Sequence, residues 1–321
     1  MARSITDWKA GSTFLATPIL INEDRMTVPP IFQLGLIGEG IQESMSPALY
    51  EVEGEHHGMR IDYDIIDLDE ITAGPEQVGD LVRAARTLGF KGLNITHPVK
   101  QRVITELDEL SDEARNIGAV NTIVIEGDRL IGHNTDAYGF FELSRRALVG
   151  EKTDNVIQFG AGGAGSAVAY ANLQGPTGVL HLVDIDIARS EALAASLATH
   201  FGADRVRAAR VEDIPTLIAD ADGFVNATPM GMAGFPGTPI DTSLLSAKHW
   251  VIDIVYFPLE TQLMKEAAER GARVTGGTGM TAFQAAKAFE LYTGLKPDNE
   301  RMLEHINGLV RERLGTPVAA Q

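Results

Sequence analysis

A chain of 321 residues, 44% hydrophobic and 22% charged, is long enough to fill the cores of two domains. Its formal net charge of -17 argues against a nucleic-acid partner, which needs a basic face, but leaves a small anionic substrate allowed through local donors. The lack of cysteine excludes disulfides, thiolate chemistry and cysteine-ligated zinc. No apolar run is long enough to span a membrane, and Asp7, Trp8 and Lys9 interrupt any signal-peptide core, so a cytoplasmic protein is expected.

Residues 1–30 show little periodicity, end in Pro29-Pro30 and read as a flexible extension. Ile31 to Ile37 reads as a strand, turning at Gly38-Glu39-Gly40. Ser44-Met45-Ser46-Pro47 leads into a helix, with Ser46 placed to cap it ahead of a first-turn proline. Ser44 lies two residues earlier, so both hydroxyls are also placed to meet one anionic ligand. Ile61 to Leu68 alternates as a strand. Val78, Leu81, Val82, Ala85 and Leu88 follow at helical spacing, and Gly92 to Ile95 is a further strand. This βαβ pattern implies parallel pairing.

That last strand ends in Asn94 and Thr96. The apolar spacing of Val99, Val103, Ile104, Leu107 and Leu110 predicts a helix starting at Pro98. Lys100 then falls in its first turn, where a cation is unfavourable, and a residue that breaks a local rule is a functional candidate. A strand pair opens at Gly118-Ala119-Val120-Asn121-Thr122 and turns at Gly127-Asp128. Asp136 opens the next helix, either as its cap or as a partner for Lys100.

Val156 to Phe159 reads as a short buried strand running into Gly160, Gly162 and Gly165, at the spacing Gly-x-Gly-x-x-Gly. Gly160 permits a tight turn, Gly162 lets a pyrophosphate approach the backbone, and Gly165 lets the following helix pack close. The next strand, Gly178 to Val183, ends in Asp184, about 20 residues on, where an acid that binds a ribose is expected. A helix from about Ile187 to His200, strands near Val206 and at Gly223 to Val225, and a short helix near Ile214 continue the alternation. A loop from Asn226 to Met232, a strand at Trp250 to Val255 broken only by Asp253, and a helix from Thr261 to Arg270 follow. Arg273 to Thr275 is the last strand. Helices from about Thr281 to Tyr292 and after Pro297 complete an α/β chain.

Taken in order, Ser44-Met45-Ser46-Pro47, Asn94-Ile95-Thr96-His97-Pro98-Val99-Lys100, Gly118-Ala119-Val120-Asn121-Thr122, Asn134-Thr135-Asp136, the glycine loop, Asn226-Ala227-Thr228-Pro229-Met230-Gly231, Tyr256 and Gly279-Met280 with Gln284 resemble the shikimate/quinate dehydrogenase family. The match runs from about Ile31 to Tyr292 and looks most like the NAD-using branch.

The resemblance implies an α/β substrate-binding domain over residues 31–134, to which 280–315 return. It also implies a Rossmann-like, doubly wound parallel-sheet domain over 135–279. It casts Lys100 as the acid/base residue with Asp136. Ser44 and Ser46 would hold the substrate carboxylate, and Asn94, Thr96, Asn121, Asp136 and Gln284 its hydroxyls, beside Tyr256. Gly160, Gly162, Gly163, Ala164, Gly165, Asp184 and Arg189 would face the dinucleotide, with Asn226, Thr228, Met230, Gly277 and Met280 around the nicotinamide. NAD is the expected cofactor, because Asp184, Ile185 and Asp186 stand where NADP-using relatives carry Asn-Arg-Thr; Arg189 is the residue that keeps NADP open. No metal is expected, and a monomer or homodimer is. An aminoshikimate-type dehydrogenase and a non-catalytic sensor of quinate or shikimate are the alternative readings. The presence of both Lys100 and Asp136 speaks against the sensor.

Overall fold

The computed structural model describes residues 31–71 and 73–315; the extension expected over 1–30 lies outside them. Twelve strands and ten α-helices alternate through the described chain. In order they are β1 (Ile31–Gly38), α1 (Ser46–His56), β2 (Arg60–Asp67), α2 (Val78–Leu88), β3 (Gly92–Ile95), β4 (Glu109–Leu110), α3 (Asp112–Ile117), β5 (Thr122–Glu126), β6 (Arg129–His133) and α4 (Thr135–Ala147). There follow β7 (Asn155–Phe159), α5 (Gly163–Gln174), β8 (Val179–Val183), α6 (Ile187–Phe201), β9 (Val206–Ala209), α7 (Ile214–Leu217), β10 (Gly223–Asn226), β11 (Trp250–Asp253), α8 (Gln262–Glu269), β12 (Arg273–Thr275), α9 (Thr278–Thr293) and α10 (Asn299–Arg313).

The strands form two sheets. The first has the order β2-β1-β3-β5-β6-β4 and is mixed: β1 pairs parallel with β2 and β3, and β5 runs antiparallel to both β3 and β6. The second has the order β12-β11-β10-β7-β8-β9 with every pairing parallel. The order reverses between β7 and β10, and the carboxyl ends of those strands are where such sheets take ligands. The central strands are short and apolar on both faces, as a sheet covered by helices on each side requires.

One apolar cluster runs from Leu34, Leu49 and Tyr50 beside the first sheet, through Phe140 of α4 and Phe283 and Phe289 of α9, to Val168 of α5 and Leu180 of β8. The outer faces of the two sheets have clusters of their own. The joint between the sheets is therefore packed core. Its closest approach is α4 on α9, where Gly139 lies so near that an added Cβ would stand 2.5 Å from the Met280 carbonyl oxygen. The helix α9 begins three residues before the expected Thr281. Gly279 in its first turn leaves room for Leu143 of α4, and a Cβ there would stand 2.7 Å from that side chain. Among the described residues, no helix is long and apolar enough to cross a membrane.

Candidate active site

After β3 the chain turns through Thr96 and a cis His97–Pro98 peptide to Lys100. The helix expected from Pro98 is absent. Turns, a 3-10 helix over Arg102–Glu106 and β4 take its place. A competing partner for the backbone explains this. The Lys100 carbonyl accepts from Val120 N–H at 2.8 Å, so Ile104 N–H falls back on Gln101 at 3.4 Å. Val99 and Val103 are nevertheless fully buried, because apolar residues three or four apart serve a turn packed on a core as well as a helix. Lys100 is thus not in a helical first turn, and the dipole argument that singled it out does not apply.

Its environment singles it out instead. Lys100 Nζ donates to Asp136 Oδ2 at 2.7 Å, with the two side chains only 17% and 11% exposed. Asp136 does not cap α4. That task falls to Asn134, whose Oδ1 accepts from Ala137 N–H at 3.3 Å. Asp136 lies in the first turn, where a carboxylate is favoured, and its second oxygen accepts from Asn121 Nδ2 at 2.9 Å. Asn121 is held in turn by Thr135 N–H, which donates to its Oδ1 at 2.7 Å, and lies 3.5 Å from Gln284 Oε1 on α9.

Asn94 joins the same group of side chains. Its Oδ1 accepts from the Tyr63 hydroxyl at 2.8 Å, which turns Nδ2 toward the Asn121 carbonyl and Thr122. Burial pushes the Tyr63 phenol well above its ordinary range, so it is the donor of that pair. Ser44 and Ser46 stand with their hydroxyls 3.2 Å apart. Ser46 is not the cap that its place before Pro47 suggests. The helix begins at Ser46 itself, the capping position falls to Met45, and Ser44 Oγ accepts the Ser46 N–H. Neither Thr96 nor Tyr256 bonds to this network. A Cβ on Gly38 would run into the Thr96 methyl, which places that side chain against β1. Burial raises the Tyr256 phenol, and Arg313 partly offsets it; the same Arg313 donates to the carbonyl of Glu43, next to Ser44.

The glycine loop has the geometry its spacing predicts. Gly160 has φ +108, and a Cβ there would stand 2.4 Å from the Ala227 carbonyl oxygen. A Cβ on Gly165 would stand 2.2 Å from the Gly160 carbonyl oxygen, whereas one on Gly162 would meet nothing within 4 Å. The open side of the loop is therefore at Gly162. The first turn of α5, Gly163-Ala164-Gly165, presents N–H groups with no partner inside the helix. Gly163 faces the Lys100–Asp136 pair, with Lys100 Cδ 3.8 Å from where its Cβ would be. Asp184 is buried, and its two oxygens accept from Ala161 N–H at 2.8 Å and Asp186 N–H at 3.0 Å. Ile185 beside it is 88% exposed. Arg189 is exposed and lies 3.5 Å from Asp186. Asn226, Thr228 and Met230 are tied to one another at the end of β10. Gly277, the cap of α9, donates to the Val255 carbonyl, and Met280 packs inward one turn on.

The family description "Shikimate dehydrogenase substrate binding domain" matches residues 36–123, and "Shikimate 5'-dehydrogenase C-terminal domain" matches 277–306. The chain is 50% identical over 275 residues to the shikimate dehydrogenase (NADP(+)) of Streptomyces avermitilis, covering 86% of this chain and 94% of that one. It is 47% identical to the quinate/shikimate dehydrogenase (NAD(+)) of Corynebacterium efficiens, covering 84% and 95%. The chain belongs to the shikimate/quinate dehydrogenase family. A solved quinate dehydrogenase from Corynebacterium glutamicum in complex with NAD superposes with a TM-score of 0.83 at 45% identity, covering 87% of this chain and 99% of that one.

The chain is thus an α/β oxidoreductase of the nicotinamide-dependent shikimate/quinate dehydrogenase type. Within that frame, sequence reasoning passed over the residues that hold the site in shape. Gln158, fully buried on β7, donates from Nε2 to the carbonyls of Gly160 and Gly165 at 2.9 and 2.8 Å and so closes the glycine loop. Asp253, fully buried at the end of β11, accepts from Asn226, Val255 and Thr261. Thr135 and Tyr63 play the same part on the substrate side. For Gln158 and Asp253 the available signal was a polar residue inside an otherwise apolar central strand, which a covered sheet keeps only when its hydrogen bonds are met; Thr135 at the start of α4 and Tyr63 on the edge strand β2 carry no such mark.

Proposed function

We propose that this protein catalyses the reversible oxidation of a ring hydroxyl of shikimate to 3-dehydroshikimate, of quinate to 3-dehydroquinate, or of both. The observation that carries the reading is the Lys100–Asp136 pair at 2.7 Å, facing a glycine loop and helix N-terminus built for a dinucleotide. The substrate side is residues 31–134 with 280–315, and the dinucleotide side is 135–279. The loop fits the cofactor. The unhindered side of Gly162 and the first turn of α5 would take the pyrophosphate, and Asp184 the adenosine ribose. The nicotinamide would lie among Asn226, Thr228, Met230, Gly277 and Met280.

When bound, the nicotinamide supplies the hydride chemistry. Lys100, as the amine, takes the hydroxyl proton, and Asp136 stabilises the ammonium that results; in the reverse direction Lys100 returns the proton to the ketone oxygen. Ser44 and Ser46 donate to the carboxylate, and Asn94, Asn121 and Gln284 orient the ring hydroxyls. NAD is the preferred cofactor. A 2′-phosphate beside Asp184 would meet a carboxylate with no cation facing it, since Ile185 is apolar and Arg189 is turned to Asp186.

The test is initial rates of purified protein with shikimate and quinate, each with NAD⁺ and NADP⁺ across a range of concentrations. Turnover of either substrate is expected, with kcat/KM at least about tenfold higher for NAD⁺, or roughly 1.4 kcal/mol. No turnover of either would remove the activity. Equal or better kcat/KM with NADP⁺ would remove the cofactor preference alone.

A further inference from the structure

Asp253 has no place in the proton-transfer pair or the substrate network, yet its side chain is fully buried where three segments of the cofactor side meet. Its Oδ1 accepts from Asn226 Nδ2 at 2.9 Å and from Val255 N–H at 3.1 Å, and its Oδ2 accepts from Thr261 Oγ1 at 2.7 Å. All three partners are donors and none is a formal cation.

The consequence is clearest at Asn226. A carboxylate only accepts, so it selects the amide orientation that points Nδ2 toward it. The other proton of Nδ2 then goes to the Met230 carbonyl at 3.0 Å. Oδ1 is left to accept from Thr228 N–H at 3.1 Å and Thr228 Oγ1 at 2.6 Å, and Thr228 Oγ1 accepts Met230 N–H at 3.2 Å. Every donor and acceptor of the Asn226 amide is used, and the loop 226–231 closes on it. Gly231, with φ +107, brings the loop back against Thr261, where a Cβ would stand 3.1 Å from the Thr261 methyl. The Asp253 oxygen that meets Asn226 also holds Val255 N–H, and the Val255 carbonyl accepts from Gly277 at the start of α9.

Resting on the dehydrogenase reading above, we propose that Asp253 is the positioning residue of the nicotinamide pocket. By acting only as an acceptor, it sets the orientation of the Asn226 amide and so holds the loop 226–231 and the Gly277 turn in one arrangement. An amide at this position must turn its nitrogen either to the Asn226 and Val255 donors or to the Thr261 hydroxyl, so at least one of these contacts is lost or reversed and the loop loses its single closed form. The cofactor side loosens, while the substrate side, built on α1, β3, β5 and α4, keeps its shape.

The experiment uses the full-length protein and the variants Asp253→Asn, Thr261→Val and Thr261→Ser. It measures melting temperature, NADH affinity by fluorescence, KM for the oxidisable substrate, kcat, and the kinetic isotope effect with substrate deuterated at the reacting carbon. Asp253→Asn is expected to weaken NADH about tenfold or more, lower kcat and raise the isotope effect, with substrate KM within about threefold. Thr261→Val should show the same pattern at about threefold, and Thr261→Ser, which keeps the hydroxyl, should restore NADH affinity. If Asp253→Asn does not fold, the Thr261 pair decides. Folded variants with unchanged NADH affinity, or with cofactor and substrate weakened alike, would overturn the proposal. NADH binding is read without turnover, so a parent protein inactive on shikimate and quinate would defeat the proposed activity and leave this test standing.

Discussion

Under the proposed function, Lys100 is the residue on which the chemistry turns. Lys100→Ala is expected to lower kcat by about 10²–10⁴, the usual worth of a placed proton-transfer group, with a smaller change in substrate affinity. A steady-state comparison checks this, and near-normal kcat would end its role as acid/base. Asp136→Asn should also lower kcat and move the pH profile, because it removes the charge beside the Lys100 amine. The two serines make a different test. Ser46 does not cap α1, so Ser46→Ala should leave melting nearly unchanged and weaken substrate binding by about 1.5–3 kcal/mol, the worth of a hydrogen bond to a charged group. Ser44→Ala should weaken binding and also lower melting, because Ser44 Oγ accepts the Ser46 N–H. Equal melting losses in the two variants would show the capping assignment to be wrong. The need for Lys100 near a dinucleotide loop was legible in the motifs. Asp136 stood in the sequence as either the cap of its helix or the partner of Lys100; only the structure decides between them, because Asp136 lies 36 residues on and pairs only when the end of β3 and the start of α4 share an edge.

At the scale of elements, α10 is fastened to α1 by one buried carboxylate. Glu53, 1% exposed, accepts from Arg301 Nε and Nη2 at 2.9 and 2.6 Å and from Asp298 N–H at 2.9 Å, and His57 Nε2 lies 3.2 Å away. Burial raises its pKa, but the hydrogen bonds from Arg301 and Asp298 together outweigh that, so the folded value lies below the ordinary glutamate range. The sign follows directly. The folded state binds fewer protons than the unfolded state, so this stabilisation is complete above the unfolded pKa of about 4.3 and is lost as pH falls through the lower folded value. Glu53→Gln should cost about 1–3 kcal/mol at neutral pH and remove part of the steepness of acid unfolding. Denaturant titrations at pH 7 and pH 3 check it, and an equal difference between parent and variant at both would contradict the linkage. The strands and most helices were legible because their apolar period is local; their caps were not, and α4 is capped by Asn134 in place of Asp136. The helix expected after Pro98 was not, because a distant Val120 N–H took the Lys100 carbonyl.

At the scale of the whole molecule, the joint between the two sheets is a packed contact whose spacing is set by small residues. A Cβ at position 139 would stand 2.5 Å from the Met280 carbonyl oxygen and 2.9 Å from Gln284 Cβ, and a backbone atom cannot move aside cheaply. Gly139→Ala should therefore push α9 off α4, cost about 1–3 kcal/mol, and weaken both substrate and cofactor, since α9 carries Gln284 and Met280. Thermal melting and both KM values check it, and a variant as stable and active as the parent would show that the joint yields. The sequence by itself determined what short-range physics encodes: the α/β alternation, the glycine turn and its helix, the acid after the second strand, and the residue types that handle a proton and a carboxylate. The tertiary structure decided which of several possible partners each polar group took. Lys100 met Asp136, Asn94 met Tyr63, and Asp253 met Asn226. Those pairings depend on strand order and on where strand ends coincide, and a buried polar group far along the chain leaves no periodic mark by which its partner can be read.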